Sequence, residues 1–130
     1  MDELINRALL AREKAYAPYS KFKVGAAVLG TSGRIYSGCN IENASYGLSN
    51  CAERTAIFNA IAEGETGIAA IAVAADTPEP VSPCGACRQV MAEFHIEKII
   101  LVNLQGHQRI YTIEDLLPYS FNKSDFEKRR

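Results

Sequence analysis

Ile68-Ala69-Ala70-Ile71-Ala72-Val73-Ala74-Ala75 is apolar at every position. A run of this kind suits a central strand covered on both faces. Such a strand needs helices above and below it, and the flanking sequence supplies them. Upstream, residues 51–63 carry helix signals, with Ser49 or Asn50 as candidate caps and Gly64 as a stop. Downstream, residues 76–83 contain Pro78, Pro80 and Pro83 and read as loop. Residues 84–94 then read as helix, and Lys98 to Asn103 as a second apolar strand.

Further toward the N-terminus, Leu4, Ile5, Ala8, Leu9 and Ala15 recur at near-helical spacing. They predict an amphipathic helix over residues 3–16, with Asp2 able to cap it and Pro18 with Tyr19-Ser20-Lys21 ending it. Residues 23–29 predict a buried strand, Thr31-Ser32-Gly33 a turn, and residues 34–40 the returning strand of a hairpin. Residues 41–50 are polar and aperiodic, hence loop. Toward the C-terminus, Gln105-Gly106-His107 predicts a turn and residues 109–111 a short strand. Thr112 with Asp115 resembles a capping box for a brief helix that Pro118 ends. The order α-β-β-α-β-α-β-β-α predicts an α/β fold, a three-layer α/β/α sandwich around one mixed sheet of about five strands. The 130 residues suit a single domain spanning 1–130.

Apolar residues make up 48% of the chain and charged residues 22%, the balance of a soluble globular domain. The formal net charge of -1 argues against a DNA or RNA partner. The basic run Lys128-Arg129-Arg130 is too short to change that and is expected to be a solvated tail. No stretch approaches the ~18 apolar residues of a membrane span. The first residues carry acid early and lack the apolar core of a secretory signal. The expected compartment is the cytoplasm, where thiols stay reduced, so the four cysteines point to metal or catalysis before disulfides.

Pro83-Cys84-Gly85-Ala86-Cys87 places two cysteines at i and i+3 where a predicted helix starts. They share one side of a helical turn, and the helix N-terminus favours the thiolate a metal requires. Alone, this spacing is shared by redox dithiols and zinc ribbons. Cys51-Ala52-Glu53 narrows the choice, because it too sits at a predicted helix start. On an ideal helix Cys51 and Glu53 would point about 200° apart. In the first turn, where side chains lean toward the N-terminus, both can reach a point beyond the helix end. Two facing helix starts would then give one zinc ion three thiolates, Cys51, Cys84 and Cys87, with the Glu53 carboxylate beside it. Three protein ligands leave a position for water, whose pKa the metal would lower toward ~7. The competing readings are a structural zinc with Glu53 on an exposed helix face, a redox dithiol, and two disulfides. Cys39 ends a strand and is expected to be a small buried hydrophobe, and His95 and His107, which lack ligand spacing, to be structural.

These stretches resemble the zinc-dependent nucleoside and base deaminases. More narrowly, the chain resembles the small homotetrameric cytidine deaminases. The likeness is carried by residues 17–27 (Ala-Pro-Tyr-Ser-Lys-Phe-Lys-Val-Gly-Ala-Ala), residues 38–46 (Gly-Cys-Asn-Ile-Glu-Asn-Ala-Ser-Tyr), Cys51-Ala52-Glu53-Arg54, and residues 82–89 (Ser-Pro-Cys-Gly-Ala-Cys-Arg-Gln). The resemblance implies deamination of cytidine and deoxycytidine, zinc on the three cysteines, and Glu53 as proton shuttle. It implies Phe22 stacked on the pyrimidine, Asn40 and Glu42 on the ribose hydroxyls, Ala44 at the substrate, and Tyr46 and Phe121 lining a neighbouring subunit's pocket. Asn40 and Glu42 share strand parity, and a carboxylate is a good acceptor for two sugar hydroxyls. Arg54 can donate hydrogen bonds to the sulfurs and offset their excess negative charge; a surface ion pair is its other reading. Two rival activities share zinc and Glu53: deamination of a cytosine-like antibiotic nucleoside, and deamination of cytosine in nucleic acid.

A nucleoside must be enclosed, and a domain this small leaves only the 41–50 loop and the segment after Pro118 for walls. The expectation is a homotetramer with shared sites. Ala52, Ala56, Ala60 and Ala62 predict an alanine-lined helix face that would let another backbone approach, and Tyr46 and Phe121 predict an aromatic interface.

Overall fold

In the computed structural model, which describes residues 1–127, the apolar run is strand β3 (Ile68–Ala75), the middle strand of a five-stranded sheet. Before it come helix α1 (Asp2–Arg12), strands β1 (Val24–Gly30) and β2 (Ile35–Cys39), and helix α2 (Ala52–Ala62). After it come α3 (Gly85–Glu93), β4 (Lys98–Asn103), β5 (Gln108–Tyr111), α4 (Ile113–Leu116) and α5 (Lys123–Glu127). The strand order is β2-β1-β3-β4-β5. Among the described strands only β3 and β4 run parallel, with Ala70 opposite Lys98 and Ala75 opposite Asn103. A parallel pair needs a crossover, and the 76–97 connection that carries α3 provides it. The remaining pairs are antiparallel, so the sheet is mixed, as expected.

Alternation along β3 and β4 divides the interior. Ile71, Val73, Ile99 and Leu101 face α2 and α3 in the larger core. Ala70, Ala72, Ala74, Ile100 and Val102 face α1 with Leu4 and Ala8. Helices on both faces make the three layers. The capping box at α4 is present in both directions, Thr112 accepting from the Asp115 N–H and Asp115 from the Thr112 N–H.

Four local expectations are corrected. Helix α1 ends at Arg12, not near residue 16, because the Tyr16 N–H donates to the Asn40 carbonyl at 3.0 Å and its carbonyl accepts from the Glu42 N–H at 2.8 Å. Those long-range bonds pull the chain out of the helix. Met1, not Asp2, is the cap of that helix, and Asp2 is its first residue. Helix α2 is capped by Cys51 rather than Ser49 or Asn50, since Asn50 is paired through its backbone with Ile41. Lastly, Ala52, Ala56 and Ala60 are fully buried against this chain's own sheet, so most of the alanine stripe serves intramolecular packing.

Small residues set the height of α2 above the sheet. A Cβ on Gly38 would lie 2.5 Å from the Ala56 nitrogen and 2.9 Å from Thr55. The helix therefore rests on β2 backbone at that point. Gly64, at φ 94°, follows α2 in the left-handed region where glycine is favoured, as expected of the stop. The segment after Pro118, which the sequence left without structure, contains the short helix α5. Lys128-Arg129-Arg130 lies outside the described residues.

Candidate metal and substrate site

Cys51 and Cys84 are the N-cap residues of α2 and α3, and Cys87 lies in the first turn of α3. As a cap, Cys51 has extended backbone (φ -75°, ψ 153°). It therefore stands outside the helical wheel, which removes the angular objection to its sharing a site with Glu53. The three sulfurs lie within 4.8 Å of one another. Cys51 Sγ is 3.8 Å from Cys84 Sγ, and Cys84 Sγ is 3.4 Å from Cys87 Sγ. The Cys84 sulfur also accepts the Cys87 N–H at 3.4 Å, so it caps α3.

The electrostatics of the trio bear on what it can hold. A hydrogen bond from the Cys87 thiol, ahead of those from Arg54 and Cys84, holds Cys51 down at about 5 against the opposing effect of burial. The same contact, with burial and the nearby Glu53 charge, pushes Cys87 far above the ordinary thiol range. The protein's own groups therefore favour a thiolate at Cys51 and oppose one at Cys87. Arg54 is the local cation: its Nη2 donates to Cys51 Sγ at 3.2 Å, and the Cys51 and Cys87 sulfurs together raise its pKa. Three convergent sulfurs, two helix N-termini and a single guanidinium fit a divalent, thiophilic ion such as zinc. Arg54 Nε is buried without a partner among the described residues.

Glu53 is 6% exposed. Burial, the largest influence, raises its pKa to about 7; the Cys51 charge adds to this, while its own backbone N–H, Arg54 and the Cys87 thiol oppose it. A carboxyl poised there can both accept and release a proton at neutral pH. It is not on an exposed helix face.

Glu53, Cys51, Cys84 and Arg54 line one cavity of about 500 Å³, within the range of small-molecule sites. Phe22, Asn40, Glu42 and Tyr46 line it too. The Asn40 side chain bridges strands, its Oδ1 accepting from the Val24 N–H at 2.9 Å and its Nδ2 donating to the Phe22 carbonyl at 2.8 Å. One N–H and one lone pair remain to it. Glu42 Oε1 accepts from the Tyr19 and Ser20 N–H groups at 3.0 and 3.1 Å, and Oε2 accepts from the Ser20 hydroxyl. That hydroxyl above all, with the two amides, holds Glu42 below the usual carboxylate range against the opposing effect of burial. The 41–50 loop is closed at its base by paired Ile41 and Asn50, and carries a single 3-10 turn at Tyr46–Leu48.

Ala44 and Phe121 do not line this cavity; the Phe121 carbonyl accepts from Gln89 at the surface. Cys39 stands apart, half-buried at the end of β2, with its thiol raised by burial. His107 bonds Asn103, and His95 follows α3 at φ 52°. Ser20, Val24, Val81 and Ser82 also line the cavity, although the sequence assigns none of them a role there. Ser20 meets Glu42, 22 residues away, a pairing that no local pattern reveals.

The family model for the cytidine and deoxycytidylate deaminase zinc-binding region matches residues 1–103. A cytidine deaminase of Halalkalibacterium halodurans is 57% identical over 124 residues, covering 94% of each chain. One from Sporosarcina psychrophila is 54% identical over 127 residues, 96% of this chain and 93% of that one. The crystal structure of cytidine deaminase from Burkholderia pseudomallei superposes with a TM-score of 0.89 at 55% identity, covering 92% of this chain and 98% of that one.

Proposed function

The chain belongs to the zinc-binding cytidine and deoxycytidylate deaminase family, and from that premise we propose that it hydrolyses cytidine and deoxycytidine to uridine and deoxyuridine with release of ammonia. The observation that carries this reading is the buried Glu53 carboxyl set in one cavity with Cys51 and Cys84, two members of a three-cysteine cluster. Release of ammonia from cytidine by the purified protein tests it, and a zinc-loaded protein without that activity would refute it.

Cys51, Cys84 and Cys87 would hold the metal. Zinc supplies Lewis acidity, which makes water a nucleophile at neutral pH. The residues of the chain handle protons and position. Glu53 takes a proton as water adds to C4 of the base and gives it to N3. It then carries the second proton from the new C4 hydroxyl to the amino group, which leaves as ammonia. Water and cytidine are thus converted to uridine and ammonia with no proton left over. Phe22 stacks on the pyrimidine, and Asn40 and Glu42 meet the sugar hydroxyls through the hydrogen-bonding capacity left to them.

Arg54 keeps the thiolate cluster from becoming too anionic. Arg54→Gln is expected to retain zinc but lower kcat/KM by about 10- to 100-fold, the usual scale for groups that support metal ligands. Its acid-side pH limb should move to higher pH, because a more anionic centre makes water harder to ionise. An unchanged pH–rate profile with normal activity would contradict this role.

The assembly is read as a homotetramer with shared sites. Tyr46 is 74% exposed and Phe121 53% exposed. Phe121 lies outside the cavity of its own chain, which suits a contribution to a neighbour's pocket, whereas Tyr46, expected there as well, lines the cavity of its own chain. Light scattering is expected to report about four times the 14.2 kDa chain mass. Exchanging subunits between Glu53→Gln and Phe121→Ala tetramers should restore part of the lost activity. A fully active monomer would overturn the reading. No helix among the described residues is long and apolar enough to cross a membrane. A cytoplasmic role in pyrimidine salvage fits the reduced thiols this site requires.

A further inference from the structure

Ser20 lies on the rim of the cavity, exposed, between the aromatic wall at Phe22 and the carboxylate at Glu42. Its hydroxyl has one proton, and that proton goes to Glu42 Oε2. The Ser20 Oγ in turn accepts the Phe22 N–H at 3.0 Å. The intervening Lys21 has φ 61°, the left-handed region that a non-glycine residue seldom occupies, and this turn brings the Phe22 N–H back onto Ser20. One hydroxyl therefore joins the two walls.

We propose that Ser20 is a positioning residue for sugar recognition, its hydroxyl fixing the direction in which Glu42 accepts and tying that carboxylate to the backbone of Phe22. This deepens the reading of Glu42 as a sugar acceptor and rests on it. Oε1 already takes two backbone N–H groups, so Oε2 is the oxygen that retains more acceptor capacity. Without the Ser20 hydroxyl, Oε2 can turn about the Oε1 anchor, and a sugar hydroxyl must order the carboxylate as it binds. The lost affinity is concentrated on substrates that carry those hydroxyls, because any loosening of the Phe22 backbone is common to both kinds of nucleoside.

The test compares cytidine with its 2′,3′-dideoxy analogue on the wild-type enzyme and on Ser20→Ala, Ser20→Thr and Glu42→Gln. Ser20→Ala is expected to raise KM for cytidine about 10- to 100-fold, the scale of one hydrogen bond to a charged group. Its kcat for cytidine, and its kcat/KM for the dideoxy analogue, should each change by less than about threefold, since uniform binding alone is affected. Ser20→Thr retains the hydroxyl and should recover most of the loss. Equal losses on both nucleosides, or an unchanged KM for cytidine, would overturn the proposal. Glu42→Gln separates the two failures. If it too affects both nucleosides equally, the sugar role of Glu42 falls and the proposal with it. If it affects cytidine selectively while Ser20→Ala does not, the role of Ser20 alone is wrong.

Discussion

Glu53→Gln is expected to keep the fold and about one equivalent of zinc while losing about 10²- to 10⁴-fold in kcat, the usual worth of a positioned acid–base group. The substitution preserves size and places an amide where the carboxyl was. An amide neither accepts nor releases a proton at neutral pH, so both transfers lose their carrier. The burial that holds Glu53 near 7 gives a second reason to expect a large effect. A neutral amide there relieves a desolvation cost, so the variant should be at least as stable as the parent. The sign follows from linkage. The folded-state pKa is raised above the ordinary carboxyl value, so ionising Glu53 disfavours folding as pH rises from that ordinary value toward 7, and glutamine removes this penalty. Stopped activity with unchanged or improved thermal stability, read by calorimetry alongside metal analysis, would separate chemistry from unfolding. Near-normal turnover would show that another group moves the protons.

Loss of a ligand should be more drastic. Cys84→Ala is expected to reduce zinc to well below one equivalent and to abolish activity, because two sulfurs hold the ion too weakly. Cys84 also caps α3 through the Cys87 N–H, so alanine removes a cap together with a ligand. Cys84→Ser distinguishes the two losses. Serine is a better cap than alanine but a harder, weaker donor for zinc than thiolate. The expected pattern is a Cys84→Ser protein that is well folded by circular dichroism yet depleted in zinc and inactive. A full equivalent of zinc in both variants would remove Cys84 from the ligand set.

The sheet was legible because two of its three inner strands, β3 and β4, are apolar runs. Residues 68–75 and 98–103 form strands with the predicted bounds, and no distant contact competes with them. The helix ends were less legible. Tyr16 leaves α1 early for a bond with Asn40, and Asn50 is drawn from its capping place by Ile41. Both partners come from remote parts of the chain. The alanines of α2 misled for a related reason: small side chains permit close approach but do not say to what. Within the site, the two helix starts could be read from cysteine spacing and stop signals. That Glu42 would be held by three donors, two of them from Ser20, could not, since those partners lie 22 and 23 residues away. Helix α5, only five residues long, left no periodic trace.

The seat of α2 on Gly38 makes the tolerance of this active site to mutation depend on a residue without chemistry. Thr55, which a side chain at 38 would strike, bonds the Cys51 carbonyl through both its N–H, at 3.0 Å, and its hydroxyl, at 3.1 Å. A methyl group added on β2 would thus be transmitted as a tilt of the helix to a metal ligand one turn away. A selection for new nucleoside substrates would find the rim at Tyr46 and Ser82 open to variation, while position 38 should stay silent in every surviving library.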